Sequence, residues 1–246
     1  MYGIIGYPLG HSFSADYFNK KFHEEGIDET YRLFPIPSID SLGLILAENP
    51  TLKGLNVTIP YKEKVIPLLT DIDSYAKEIG AVNVIKIIRN GDEIQMIGYN
   101  SDALGFEESL TPLLKPYMKN ALVLGTGGAS KAVAVVLKSL GIEVTHVSRQ
   151  RKENCISYDD LTKDIIDKNT LIVNTTPLGM WPKVDEAPAI PYEYLTNQHL
   201  CYDVVYNPDP TLFMQLSKEQ GASVKGGLEM LHTQAVEAWK IWNPNA

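Results

Sequence analysis

The chain has 246 residues, 44% of them hydrophobic and 21% charged, and a formal net charge of −8, the profile of a globular protein built as one large or two small domains with a sizeable core. The acidic balance argues against nonspecific nucleic-acid binding but leaves room for a small anion in a local basic pocket, and no apolar run approaches the length that spans a bilayer. The opening residues Met1-Tyr2-Gly3-Ile4-Ile5-Gly6 lack the basic segment and cleavage site of a secretory leader, and the two cysteines, Cys155 and Cys201, form neither a disulfide framework nor a zinc spacing, so they read as reduced thiols of a cytoplasmic protein.

In chain order, Tyr2–Gly6 is a short apolar strand, and Ser14 is the N-cap of a helix with Tyr17, Phe18 and Phe22 on one face, ended by Gly26. Tyr31–Phe34 reads as a strand, Ser38–Glu48 as a helix stopped by Asn49-Pro50, and Lys53–Thr58 as a third strand. Ala81–Arg89 and Glu93–Tyr99 flank Asn90-Gly91, a hairpin signal because both residues tolerate positive φ. The first hundred residues therefore predict an α/β sheet of mixed direction. A helix is expected from Asp102 to about Lys115, with prolines at 112 and 116 disturbing its end. Then the alternation becomes regular. Ala121–Leu124 (strand), Ala129–Leu140 (helix), Glu143–Ser148 (strand), Tyr158–Asp167 (helix), Leu171–Asn174 (strand), Leu200–Tyr206 (strand) and Thr211–Gln220 (helix) predict a parallel, doubly wound domain. A last helix, Gly227–Trp242, places Leu228, Leu231, Ala235, Ala238 and Trp239 on one stripe.

Gly125-Thr126-Gly127-Gly128-Ala129-Ser130 joins an apolar strand to a helix. Glycines at 125, 127 and 128 let the backbone turn sharply and approach a pyrophosphate, which the free N–H groups of the following helix attract. The dinucleotide fingerprint has glycine or alanine at the third spaced position, where this chain has Ser130. A cofactor with a free ribose usually meets a carboxylate at the tip of the next strand; here the tip reads Ser148-Arg149-Gln150-Arg151-Lys152. Three cations and no carboxylate suit a 2′-phosphate, and so NADP over NAD, because guanidinium pairs bidentately with phosphate; a solvated basic loop has the same composition. Lys62, in Asn56-Val57-Thr58-Ile59-Pro60-Tyr61-Lys62, and Asp102, in Gly98-Tyr99-Asn100-Ser101-Asp102, stand where a strand-edge proton-transfer pair would be built. With a nicotinamide site the pair suggests an alcohol dehydrogenase for a small polar substrate. Taken separately, Lys62 also reads as a surface lysine beside Lys64, and Asp102 as a helix cap.

These segments in this order are similar to the shikimate dehydrogenase family, over almost the whole length. The resemblance is carried by Gly6-Tyr7-Pro8-Leu9-Gly10-His11-Ser12-Phe13-Ser14, the Lys62 segment, Gly80-Ala81-Val82-Asn83, the Asp102 segment, the glycine turn, Asn174-Thr175-Thr176-Pro177-Leu178-Gly179-Met180, Asp203-Val204-Val205-Tyr206-Asn207-Pro208 and Gly226-Gly227-Leu228-Glu229-Met230-Leu231-His232-Thr233-Gln234-Ala235. It implies NADP-dependent, reversible reduction of 3-dehydroshikimate to shikimate, on the way to chorismate and the aromatic amino acids. It further implies Lys62 as acid/base residue with Asp102 as partner at the reacting hydroxyl. Ser12 and Ser14 would hold the substrate carboxylate with Tyr206 nearby, and Thr58, Asn83 and Gln234 the ring hydroxyls. Gly125, Thr126, Gly127, Gly128, Ala129, Ser148, Arg149, Thr175, Met180, Val204 and Gly227 would contact the cofactor, joined by Arg151 from the basic tip.

The resemblance also implies a discontinuous substrate-binding domain, residues 1–101 plus 227–246, and a Rossmann-like NADP-binding domain over residues 102–226. The chain departs from the family in having Ser148-Arg149-Gln150 for Asn-Arg-Thr, Ser101 where Thr is frequent, and little length for extra loops. A quinate-preferring or NAD-preferring relative and a non-catalytic NADP-binding regulator are the rival readings. Serines at 12 and 14 lean to shikimate, and the intact Lys62/Asp102 pair argues against a pure binder. Nothing points to a metal, a nucleic acid or a membrane as partner, and a monomer or a homodimer both fit.

Overall fold

The computed structural model describes residues 1–10, 12–91 and 93–244. His11 of the first motif and the last two residues of the expected C-terminal segment lie outside the described residues. The chain divides into two units, Met1–Ser101 with Gln234–Ala246, and Asp102–Thr233.

The first unit contains strands β1 (Tyr2–Gly6), β2 (Tyr31–Pro35), β3 (Gly54–Val57), β4 (Asp71–Ile72), β5 (Val84–Asn90) and β6 (Glu93–Tyr99), with helices α1 (Phe13–Glu24), α2 (Leu42–Glu48) and α3 (Ser74–Ile79). The strands form one mixed sheet in the order β2-β1-β3-β5-β6-β4. β1 is parallel to β2 and β3, while β5 is antiparallel to both β3 and β6. This pattern has a direct consequence for function. The carboxyl ends of β1 and β3, the amino end of β5 and the carboxyl end of β6 all fall on one edge of the sheet, as the pairings Ile5↔Val57, Asn56↔Val84 and Val84↔Tyr99 show.

The second unit begins with α4 (Asp102–Leu110). It continues with β7 (Asn120–Leu124), α5 (Gly128–Ser139), β8 (Glu143–Ser148), β9 (Cys155–Ser157), α6 (Lys163–Lys168), β10 (Leu171–Asn174), β11 (Leu200–Asp203), α7 (Leu212–Glu219) and β12 (Ser223–Lys225). Its sheet is all parallel, in the order β12-β11-β10-β7-β8-β9. The chain winds one way from β7 and the other way from β10. The carboxyl ends of those two neighbours are thus the switch point at which doubly wound sheets bind ligands. Strands β7, β10 and β11 are buried on both faces apart from Asn120, which explains their continuous apolar sequences. A final helix, α8 (Leu228–Trp242), contains the point of division.

Several local expectations shift. α1 is capped by Ser12, in extended conformation, with Ser14 inside its first turn. The helix starts early enough to stack Phe13 on Tyr17, an i,i+4 pair with ring centroids 5.9 Å apart. The helices expected over 38–48 and 102–115 each contain a 3₁₀ turn, Ile39–Ser41 before α2 and Thr111–Leu113 after α4; in the second, Pro112 stops the α-helical ladder. The helix expected over 158–167 is replaced by β9, a 3₁₀ turn at Tyr158–Asp160, and α6. The Asp160 carboxylate takes the backbone N–H and the hydroxyl of Ser157, closing that turn as a capping box. α3, capped by Asp73 and ended by Gly80 at φ +69, and the short strands β4 and β12 carry no periodic pattern long enough to read from sequence.

On α8 the first unit's buried face is Ala235, Ala238 and Trp242; Leu228, expected on the apolar stripe, is 41% exposed. Trp242 stacks on Tyr2 with centroids 4.8 Å apart, touches Phe18 and Tyr31, and donates its indole N–H to the Ile85 carbonyl. Trp242→Ala is expected to lower the unfolding free energy by about 3–5 kcal/mol, measured by urea titration of the intrinsic fluorescence; a loss below about 1 kcal/mol would mean that the aromatic cluster does not hold this helix.

Candidate functional site

The functional edge of the first unit is organised by hydrogen bonds between residues far apart in sequence. The Tyr31 phenol, fully enclosed in the sheet, donates to Asn56 Oδ1 at 2.6 Å and also bonds the Ser14 hydroxyl; burial pushes its pKa well up. Asn56 Nδ2 donates to the Asn83 carbonyl at 3.3 Å. The Asn83 carboxamide accepts the Ser101 N–H at 2.7 Å and donates to the Ser101 hydroxyl at 3.1 Å and to Gln234 Oε1 at 3.4 Å. Ser14, Asn83 and Gln234, three of the expected substrate ligands, therefore sit on one continuous polar line. Tyr31, Asn56 and Ser101 complete it, although the sequence assigns none of the three a role as ligand. No local pattern marks them, since each partner lies at least 17 residues away along the chain.

Ser12 is buried and makes no side-chain cap bond to α1. Thr58 follows β3 and donates its N–H to the Ile5 carbonyl. Lys62 is half-buried, four residues on; its carbonyl accepts the Val82 N–H at 2.7 Å, which fixes the Lys62 turn beside the Gly80–Asn83 segment. Tyr61, 2% exposed, anchors that turn by donating to the Ile36 carbonyl. The first unit thus brings Ser12, Ser14, Thr58, Lys62, Asn83 and Gln234 to one edge or its immediate turns. Asp102 is buried and opens α4, directly after Ser101, as the first residue of the second unit. Tyr206 also belongs to that unit, in the turn after β11.

In the second unit the glycine turn lies at the switch point. Gly125 has φ +111, and a Cβ there would come within 2.7 Å of Thr175 Oγ1, so only glycine serves. Thr175 bonds the end of β7 twice, through its N–H and its hydroxyl to the Leu124 carbonyl. Ser130 explains its own presence: its hydroxyl donates to the Gly125 carbonyl at 2.8 Å and meets His146 Nδ1 at 3.2 Å, tying the first turn of α5 to the glycine turn and to β8. Burial pushes the His146 pKa down, against the raising pull of its bond to the Gly125 backbone.

The turn fits a dinucleotide pyrophosphate. A Cβ at Gly127 would meet nothing within 4 Å, leaving an open cradle at the amino end of a 12-residue helix. At the tip of β8, the Ser148 hydroxyl donates to the Gln150 carbonyl, which stitches the loop. Arg149 is exposed and near the Tyr158 phenol. Arg151 pairs through two nitrogens with Asp160, whose pKa falls to about 2, first through the Ser157 N–H and then through this guanidinium. Met180 is 40% exposed after β10.

The ends of β10 and β11 are locked by a second buried network. Asp203, 0% exposed, accepts from the Val205 N–H, Asn174 Nδ2 and the Thr211 hydroxyl. Burial pushes its carboxyl up to about 6, and the three donors pull against that rise. Among the described residues no helix is long and apolar enough to cross a membrane, and no group of three or more His, Cys, Asp or Glu is placed to hold a metal.

Residues 4–85 match the family model described as the shikimate dehydrogenase substrate binding domain. A relative from Clostridium beijerinckii named shikimate dehydrogenase (NADP(+)) is 39% identical, the match covering 98% of this chain and 91% of the relative. The crystal structure of shikimate dehydrogenase from Aquifex aeolicus superposes with a TM-score of 0.86 at 36% identity, over 99% of this chain and 92% of that one. The shikimate 5-dehydrogenase of Thermus thermophilus, solved in complex with NADP(H) and shikimate, gives 0.85 at 29% identity, covering 99% and 93%.

The Asp203 carboxyl makes a prediction independent of any ligand. Its folded value of about 6 lies above its ordinary 3.8. Its protonation therefore favours the folded state fully below pH 3.8, and that contribution is lost as pH rises through 6. Relative to Asp203→Asn, which does not titrate, the wild-type unfolding free energy is expected to fall by about 2–3 kcal/mol between about pH 4 and pH 7. Urea unfolding at both pH values measures this, and parallel curves would contradict it.

Proposed function

The chain belongs to the shikimate dehydrogenase family, and we propose that it catalyses the reversible, NADP-dependent reduction of 3-dehydroshikimate to shikimate, a step toward chorismate and the aromatic amino acids. The observation that carries this reading is the polar line from Ser14 through Tyr31, Asn56 and Asn83 to Ser101 and Gln234. A ring bearing a carboxylate and several hydroxyls needs short donors and acceptors held in fixed positions, and such a site rejects analogues that lack those hydroxyls. Ser12 and Ser14 hold the carboxylate, with Tyr206 beside it; Thr58, Asn83 and Gln234 hold the ring hydroxyls.

Lys62 moves the proton. Its ammonium gives a proton to the substrate oxygen as the carbonyl becomes an alcohol, and takes it back in the reverse direction. Asp102 is its partner at that oxygen, holding and orienting the hydroxyl. NADPH, when bound, supplies the hydride, and NADP+ accepts it in the oxidation. The residues that hold the dinucleotide are Gly125 to Ala129 at the pyrophosphate, Thr175, Met180, Val204 and Gly227 along its length, and Ser148, Arg149 and Arg151 at the 2′-phosphate. Because Arg151 is already paired with Asp160, the larger share of phosphate recognition is assigned to Arg149. The first unit is read as the substrate domain and the second as the NADP domain. A cytoplasmic location accompanies this reading, and a reducing compartment suits two free cysteines, one of them, Cys201, with its thiol pushed up to about 12 by burial.

Two substitutions test the assignment through the near-ultraviolet absorbance of reduced nicotinamide. Lys62→Ala is expected to lower kcat on the order of a hundredfold to ten-thousandfold with shikimate binding kept, since its contribution is made in the transition state; unchanged turnover removes Lys62 from the mechanism. Arg149→Ala is expected to raise KM for NADP+ on the order of tenfold or more while KM for NAD+ moves little; equal rises would show that the arginine does not read the phosphate. Quinate and NAD+ run in parallel separate the relaxed-specificity rival, and a folded protein that binds NADP+ without oxidising shikimate would favour the regulatory one.

A further inference from the structure

Asp203 lies outside the set of residues assigned to substrate or cofactor, yet three backbone segments of the second unit converge on it. It is the last residue of β11 and is completely enclosed. Oδ1 accepts the Val205 N–H and Asn174 Nδ2, both at 3.0 Å, and Oδ2 accepts the Thr211 hydroxyl at 2.7 Å. The bond to Asn174 reaches the neighbouring strand, and the other end of that amide continues the chain: Asn174 Oδ1 accepts the Thr176 N–H at 3.0 Å and its hydroxyl at 2.6 Å, and Thr176 Oγ1 accepts the Leu178 N–H at 3.3 Å. The turn 175–178 after β10 is thus fixed by side chains that end at Asp203.

The turn after β11 is fixed by the same carboxylate, and the start of α8 is fitted against it. Gly227 donates its N–H to the Val205 carbonyl at 3.1 Å, and a Cβ at Gly227 would overlap the Val204 carbonyl. Thr211, which caps α7 by accepting the Met214 N–H, presents its hydroxyl hydrogen to Asp203.

We propose that Asp203 is a positioning residue for the dinucleotide, holding Thr175 on one turn and Val204 with Gly227 on the next in the arrangement that receives the cofactor. The inference rests on the reading of the second unit as the NADP domain. A carboxylate suits the task because it only accepts: three donors of three kinds, a backbone N–H, an amide and a hydroxyl, all point inward, and an amide in its place turns an NH₂ toward one of them. All three donors are neutral, so a charge is kept in the interior without a cation. Burial pushes this carboxyl up to about 6, which means that at neutral pH the arrangement is held against stability, as happens where function sets the requirement.

The test uses the full chain and measures NADP+ binding by isothermal titration calorimetry at neutral pH, at a temperature well below the unfolding midpoint of each variant. Asp203→Asn and Thr211→Val are expected to raise the dissociation constant about tenfold, while Thr211→Ser, which keeps the hydroxyl, stays within about twofold of the wild type. KM for shikimate, whose assigned ligands belong to the first unit apart from Tyr206 in the turn after β11, is expected to move several-fold less than the NADP+ dissociation constant in Asp203→Asn and Thr211→Val. The unfolding midpoint of Asp203→Asn at neutral pH is expected not to fall, which separates positioning from general support of the fold. The inference is overturned if Thr211→Val binds NADP+ within about twofold of the wild type, or if Thr211→Ser is as impaired as Thr211→Val. Should Asp203→Asn not fold, the threonine pair decides alone. A wild-type protein that binds no NADP+ would instead overturn the NADP-domain reading, and this inference with it.

Discussion

One carboxamide residue holds the polar edge of the first unit together. The Asn83 carbonyl accepts the Val57 N–H at the end of β3 and the Asn56 side chain, its N–H pairs with the Tyr99 carbonyl at the end of β6, and its side chain takes Ser101 and Gln234. Three strands and α8 meet at this residue, which is 2% exposed. In such a setting a missing partner leaves a buried donor or acceptor unsatisfied, at about 1–3 kcal/mol each. The positions of Thr58 after β3 and of Gln234 on α8 are therefore linked, because Asn83 bonds the Val57 N–H next to the one and the side chain of the other.

The second unit solves a related problem in a similar way. Its central strands are largely apolar and enclosed on both faces, so packing and the backbone ladder fix their bodies. At the carboxyl edge the chain must leave the sheet in irregular turns, and there polar side chains take over: Thr175 and Ser130 secure the glycine turn, while Asn174 and Asp203 secure the next two. Both units thus concentrate their buried polar groups at strand ends, where ligands of α/β sheets collect. In the first sheet every strand but the antiparallel β5 turns its carboxyl end to one edge, and β5 its amino end; in the second all of the carboxyl ends share one edge.

Elements with strong local signals were legible in the sequence. The enclosed strands, the glycine turn, the β5–β6 hairpin and the α/β alternation all follow from periodicity and turn chemistry, although Asn90 ends β5 opposite Glu93 and Gly91, at φ +62, takes the turn that both residues were expected to share. The residues that cluster on the polar edge of the first unit were named only through resemblance, since a lone serine or asparagine has the same local appearance as a cap. What stayed hidden depends on partners remote in the chain: Tyr31 finds Asn56 at a separation of 25 residues, and Asn174 finds Asp203 at a separation of 29. The helix expected over 158–167 failed for another reason. Asp160 has a stronger local use, accepting from Ser157 and pairing with Arg151, and that use closes a tight turn in place of continuing a helix.

The central claim is that the polar edge organised by Asn83 receives a polyhydroxylated ring acid whose alcohol is oxidised with NADP+. The most direct measurement is the initial rate of absorbance gain from reduced nicotinamide when the purified protein is given shikimate and NADP+, compared with the same protein given a cyclohexene carboxylate that keeps the reacting hydroxyl and lacks the other two. The account predicts saturable turnover of shikimate and none above background with the stripped analogue. A folded protein that produces no reduced nicotinamide from shikimate, or that turns over both compounds alike, would contradict it.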